Sequence, residues 1–333
     1  MYEFATGVIN VWEKRLLSRL DQERMIKSPD RASAFLALFD TDLGEIISSD
    51  SKKDIEEIFT QDLISLKKKL DGITDDNGFL VSFLFLKFDA LNLKGALKNR
   101  LSPEQAKGFE PFDFSLELYK NLEGCLDLFF NQKASNGFGD KKCANNYVAK
   151  MLLDSVETIL NLEKGKIDSR QIEQTVDAAY FKLKAGMAKE ITYLEEFVRL
   201  EIDIANLRSL LAQESSPYFL EGGNLNKAEL DNLIQYSKGE SEKGIKKFLE
   251  TLQLSFLMES FKEENSLMLV EKKLEGYIAE SIFRTEKEKG SGVEKVMAFF
   301  QKKINSHANI RLILFAKDNG LPISEIEKAL LPL

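Results

Sequence analysis

His307 is the single histidine of the 333-residue chain, and this removes most acid–base and metal chemistry from consideration. A His-Glu-x-x-His zinc site and a carboxylate-bridged di-iron bundle each need more than one imidazole. Nucleotide signatures are missing as well. Gly290-Ser291-Gly292-Val293-Glu294-Lys295 contains a bare GxG but not the spacing or the Lys-Ser/Thr ending of a phosphate loop, so it reads as a turn. No GxSxG nucleophile elbow occurs, and neither Cys125 nor Cys143 stands in a catalytic motif. Acidic pairs such as Glu56-Glu57 and Glu195-Glu196 read as solvated helix faces. No catalytic residue, no cofactor-binding residue and no metal ligand is assigned.

The polar residues that do form a pattern are Asp89 with Asn92, and Asp203 with Asn206. They lie in stretches that superpose without a gap, Phe83–Pro103 on Phe197–Pro217. Phe83 falls on Phe197, Leu86 on Leu200, Leu93 on Leu207, Lys94 on Arg208 and Leu97 on Leu211, and both stretches end in Ser-Pro. A third copy begins at Phe300, keeps Asn309, Ile310, Arg311 and Leu314, and has Ser306 where the others have aspartate. The asparagines are 114 and 103 residues apart, a period too long for a solenoid and suited to a triplicated helical unit.

Each copy reads as a helix. Tyr193, Phe197, Leu200, Ile204, Leu207 and Leu211 step by four and three residues along one face. Leu194, Val198, Ile202 and Ala205 cover much of the rest, so the helix must be packed between neighbours. The aspartate and asparagine are expected to tie neighbouring segments together through buried hydrogen bonds. His307 aligns with Ile204, on the inward face, and is expected to be a packed histidine.

Around these helices the pattern predicts an all-α chain. A first helix is expected from about Tyr2 to Lys27, a second opened by Ser28-Pro29-Asp30 and ending near Asp40-Thr41-Asp42, and a third over Lys52–Leu70. Further helices are expected over Leu116–Asn131, Asn145–Leu162 and Ser169–Met187, with others near Lys227–Tyr236, Glu240–Leu252, Leu254–Phe261 and Ser266–Lys287. A short last helix, Ser324–Leu330, is expected to be capped by Ser324. Boundaries at the Pro- and Phe-containing connection after residue 102 and at Gly222-Gly223 divide the chain into helical repeats 1–110, 111–220 and 221–333.

Charge and length set the remaining bounds. At 333 residues one hydrophobic core is not expected to serve the whole chain. A formal charge of −8 without a basic block disfavours nucleic acid, and the run Lys67-Lys68-Lys69 reads as a solvated face. Two cysteines 18 residues apart read as free thiols of a reducing compartment. The N-terminus carries Glu3 and Glu13 and lacks a signal core, and the apolar run Phe79–Leu86 is far below the roughly 20 residues that span a bilayer. A soluble protein is expected, with membrane contact only through a partner.

Triplicated helical units closing on Asp-x-x-Asn-Leu-Lys/Arg-x-x-Leu resemble the C-type rotor subunits of the bacterial and archaeal V/A-type rotary ATPases, whose counterpart in the eukaryotic vacuolar proton pump is its d-type rotor subunit. The resemblance runs over nearly the whole chain. It includes Tyr2, Ala5 and Leu16-Leu17, then Asp40-Thr41, Glu196-Phe197-Val198, Asn206-Leu207-Arg208, Gly222-Gly223, Asn309-Ile310-Arg311 and Gly320-Leu321-Pro322. Ser306 and an opening helix poor in arginine depart from the family pattern. The resemblance implies a funnel of three helical segments around a pseudo-threefold axis. It implies a non-catalytic, cytoplasmic rotor component, peripheral to the membrane and placed between the proteolipid ring and the central shaft subunits. The alternative is a helical-repeat adaptor unrelated to rotary machines, which would show shorter, open-ended repeats. A carboxylate enzyme would instead need a polar cavity.

Overall fold

The computed structural model describes residues 2–49, 54–74, 76–105, 108–131, 146–162, 167–211, 218–226, 228 and 267–333. Among them every regular element is helical. The α-helices are α1 (Glu3–Trp12), α2 (Arg19–Lys27), α3 (Arg31–Leu36), α4 (Gly44–Ser49), α5 (Ile55–Ile73), α6 (Phe79–Leu101), α7 (Tyr119–Asn131), α8 (Asn146–Asn161), α9 (Ser169–Ala188), α10 (Thr192–Leu211), α11 (Leu267–Lys289), α12 (Val293–Asn319) and α13 (Ile323–Ala329). The signature stretches are α6, α10 and α12. Apart from residue 228, the helices expected near Lys227–Tyr236, Glu240–Leu252 and Leu254–Phe261 lie outside the described residues.

Two boundaries differ from expectation for local reasons. The predicted first helix is two: α1 runs into a 3-10 turn at Glu13–Arg15, Leu16 turns extended, and Ser18 restarts the helix. Ser18 and Asp21 form a reciprocal capping box, each side chain bonding the other's backbone N–H. This satisfies two donors that a continuing helix would have used otherwise. At the other end α13 begins at Ile323, behind Pro322, and Ser324 caps nothing. The second predicted helix is α3, capped by Asp30 and continued by a 3-10 turn, Ala37–Asp40. Thr41 closes that turn by donating its hydroxyl to the Leu38 carbonyl at 2.7 Å.

The chain forms two compact units, Leu63–Val198 and the combination of Met1–Asp62 with Arg199–Leu333. In the first, α9 packs on α6 and α8. Its core holds Leu86, Leu93 and Leu97 of α6 with Val148, Leu152 and Val156 of α8 and Ile172 and Val176 of α9. Helix α6 is buried almost all round, from Leu80 to Leu97. That fits a sequence apolar on most of its circumference. Cys125, 3% exposed in this core, is disulfide-bonded, not the free thiol expected. Sequence spacing does not report proximity in space, and Cys143 lies outside the described residues.

In the other unit α12 is the central strut, with α1, α2, α3, α11 and α13 packed against it. Met25 and Ile26 of α2, Ala34 of α3, Ile58 and Phe59 of α5 and Ile310, Ile313 and Leu314 of α12 share one core. Trp12 lies against Phe299, with ring centroids 5.8 Å apart. The first 62 residues are thereby built onto one of the last helices of the chain.

No helix among the described residues is long and apolar enough to cross a membrane.

Candidate functional site

The three equivalent asparagines perform one task. Asn92 Nδ2 donates to the Phe112 carbonyl at 3.1 Å, and Asn92 Oδ1 accepts from the Phe112 amide at 2.9 Å. Asn206 holds Leu220 in the same way, at 3.0 and 2.7 Å. Asn309 holds Leu331, both bonds at 2.8 Å. A carboxamide presents a donor and an acceptor side by side, so it can replace a β-ladder partner for one extended residue. Each asparagine is buried to within 1%, which makes both bonds costly to lose.

Asp89 and Asp203 act four and five residues further along the clamped connection. Asp89 accepts from the Leu116 and Glu117 amides, each at 2.9 Å. Asp203 accepts from the amides of Asn224 at 3.0 Å and Leu225 at 3.2 Å, and from the Asn224 side chain at 2.8 Å. The Gly222-Gly223 turn makes that approach possible. Gly222 has φ +98°, and a Cβ on Gly223 would lie 2.1 Å from Asp203 Oδ1. In the third copy Ser306 turns back to its own helix and donates to the Lys302 carbonyl at 2.8 Å. Burial pushes the Asp89 carboxyl up to about 7, against the pull of its two amide donors and Lys67.

The cations two positions after the asparagines are also paired. Lys94 of α6 meets Asp177 of α9 at 2.6 Å, Arg208 of α10 meets Glu275 of α11 at 3.8 Å, and Arg311 of α12 meets Glu56 of α5 at 2.6 Å. Helices α9, α11 and α5 each directly precede a signature helix: α10, α12 and α6 respectively. Every signature helix is thus bonded to the helix that leads into the next one, and the third pair returns to the first. Aligning the copies matches the cations and gives no indication of these partners.

The phenylalanines that open the copies are buried: Phe83 is 0%, Phe197 8% and Phe300 4% exposed. Phe83 and Phe197 lie 6.3 Å apart. The Lys184 ammonium lies 4.8 Å from the Phe83 ring, 5.1 Å from Phe197 and 5.3 Å from Tyr180, whose hydroxyl it reaches at 2.9 Å. Rings of this kind attract a desolvated cation.

Helix α12 carries a dense group of buried charges, of which sequence reasoning foresaw only His307. Its Nε2 lies 2.7 Å from Asp62 Oδ2, and its ring stacks on Phe59 at 4.2 Å. Lys303, one turn earlier, is 2.7 Å from the same Asp62 oxygen and also bonds Asp42. One turn later Arg311 clamps both oxygens of Glu56 at 2.6 Å, its guanidinium 5.2 Å from the Phe59 ring. Nearer the N-terminus of α12, Glu13 bridges Lys295 and Lys302. Burial raises the Asp62 carboxyl, but Lys303 and His307 more than offset it and hold it below the ordinary aspartate value. Burial lowers His307 despite Asp62, so the imidazole is neutral and Nε2 carries the proton donated to Asp62. Asp42 is raised by burial, with Lys303 opposing. The overlooked signal was Asp62, a charge on the apolar side of α5 beside Phe59 and Leu63.

No group of three or more His, Cys, Asp or Glu side chains placed to hold a metal ion occurs among the described residues. The buried asparagines, the aspartates of the first two copies and the Lys303–Asp62–His307 group pair with one another or with backbone, an arrangement that fixes segments. The chain matches the ATP synthase (C/AC39) subunit family over residues 5–329, nearly its full length, and belongs to that family. No curated protein matches it.

Proposed function

We propose that this chain is the central-stalk linker of a V/A-type rotary ATPase or ATP synthase, joining the membrane proteolipid ring to the central shaft and carrying torque between them. Family membership over residues 5–329 is the observation that carries this reading. The internal construction supports it. A torque-bearing part must resist shear between its helices, and each signature helix here is fastened by a buried asparagine clamp and an ion pair. The repeated clamps and the cyclic order of the pairs support three related helical segments, 1–110, 111–220 and 221–333, around a pseudo-threefold axis. On this reading ATP hydrolysis and ion movement take place on other subunits. The chain sits on the cytoplasmic side and meets the membrane only through its partners.

The test is a ternary assembly. Full-length protein is mixed with the shaft subunits and the detergent-solubilised proteolipid ring, and the complex is isolated by size exclusion. A linker brings both into one peak that neither forms without it. Binding to one partner and not the other would reduce the chain to a one-sided adaptor.

A further inference from the structure

The buried cluster around His307 joins parts of the chain 245 and 261 residues apart, and it does so with titratable groups where apolar contact would have served. Asp42 precedes α4, Asp62 lies on α5, and Lys303 and His307 lie one turn apart on α12. With Lys303 charged and His307 neutral, the cluster holds two carboxylates against one cation. Outside it, Arg15 acts on Asp42 through space while pairing with Glu45, and Glu56 of α5 pairs with Arg311 of α12.

We propose that Asp42, Lys303, Asp62 and His307 form a proton-operated clasp that fastens the N-terminal 62 residues to α12 at neutral pH and loosens on acidification. The geometry supplies the mechanism. The His307 Nε2–H is committed to Asp62, one ring face is covered by Phe59, and the side chain is 4% exposed. A second proton on the ring would create a buried imidazolium, and loss of its hydration, with the Lys303 ammonium one turn away, outweighs the attraction of the Asp62 and Asp42 carboxylates. In an opened form the ring is solvated and takes that proton at the ordinary histidine value, about 6.5. Acid therefore favours the opened form, by up to tenfold per pH unit below about 6.5. Asp42 works in the opposite sense: its carboxyl is raised in the closed form, so the closed form gains a proton there as pH falls. The loosening is steepest before Asp42 takes up its proton. This inference concerns the chain by itself and does not depend on the proposed place in a rotor.

Because His307 is the single histidine, its ring signal in a proton–carbon spectrum of the full-length protein needs no assignment. Amide hydrogen exchange of Ile55–Asp62, measured on the same samples from pH 7.5 to 5, reports opening. The expected result is a neutral Nε2–H ring throughout the closed state, with exchange rates corrected for intrinsic chemistry rising severalfold between pH 6.5 and 5.5. His307→Gln keeps a donor for Asp62 and does not titrate, and should flatten that rise. Asp42→Asn removes the opposing proton and should steepen it. A ring that protonates near 6.5 while exchange stays constant overturns the proposal. So does an equal rise in His307→Gln or a shallower one in Asp42→Asn. Should His307→Gln fail to fold, the wild-type ring titration still decides.

Discussion

Asn309 and Leu331 pair reciprocally: the carboxamide donates to the Leu331 carbonyl and accepts from its amide, both at 2.8 Å and both away from water. The same relation ties Asn206 to Leu220 across 14 residues and Asn92 to Phe112 across 20. Truncating Asn206 or Asn309 to alanine leaves a buried N–H and a buried C=O without partners. The expected cost is roughly 2–6 kcal/mol, from about 1–3 kcal/mol for each of the two stranded groups. Urea denaturation of the variants measures it. A loss below about 0.5 kcal/mol would mean that water replaces the clamp freely.

Phe83 and Phe197 to alanine should each cost about 3–5 kcal/mol, the usual range for a buried phenylalanine. Both rings also face the Lys184 ammonium, so Lys184→Met in either background tests whether the cation contributes beyond packing. An unchanged denaturation midpoint in the alanine variants would contradict the buried positions of these rings.

Gly223→Ala places a methyl group 2.1 Å from Asp203 Oδ1 and must displace the carboxylate from the Asn224 and Leu225 amides. Gly95→Ala meets the Phe109 ring at 2.2 Å. Overpacking of this kind costs about 1–3 kcal/mol. The two variants separate in a second readout: amide exchange should accelerate at Asn224 and Leu225 in the first and be unchanged there in the second.

Asp89 predicts a pH dependence of definite sign. Its carboxyl rises from about 3.8 in the unfolded chain to about 7 in the folded protein, so the folded form holds the proton more tightly. The stability this contributes is full below about pH 4 and is lost as pH rises towards 7. Asp89→Asn removes the titration. The difference in denaturation midpoint between wild type and variant should therefore shift steadily in favour of the variant from pH 5 to 7. A flat difference, or one of opposite slope, would show that the amide donors dominate over burial.

The isolated chain should neither bind ATP at micromolar concentration nor hydrolyse it, since no stretch of it has the residues of a phosphate loop. Equilibrium binding with a fluorescent nucleotide checks this directly, and saturable binding would contradict the expectation.

Much of the architecture was legible one segment at a time. Helix α6 could be read because an apolar run of that length, bounded by Gly78 and Pro103, has no other stable use. The start of α2 was equally present, in Ser18 and Asp21, but the apolar spacing of residues 2–20 masked it. A cap overrides apolar periodicity when both of its bonds form. The disulfide at Cys125 was not legible in the same way, because the position of a cysteine in the sequence carries no distance in space.

The sequence by itself determined that the chain is helical, and that three stretches of matching pattern each place an asparagine at the same point. These follow from side-chain type and spacing within one helix, where neighbours in sequence are neighbours in space. Tertiary structure decided what those asparagines hold and which cation meets which carboxylate. It also decided that Asp42 and Asp62 close upon Lys303 and His307 from more than two hundred residues away. Such pairings depend on how whole helices pack. A buried charge carries no local mark of its partner: Asp62 and the solvated Glu57, five residues apart on α5, look alike until the helix is placed against α12.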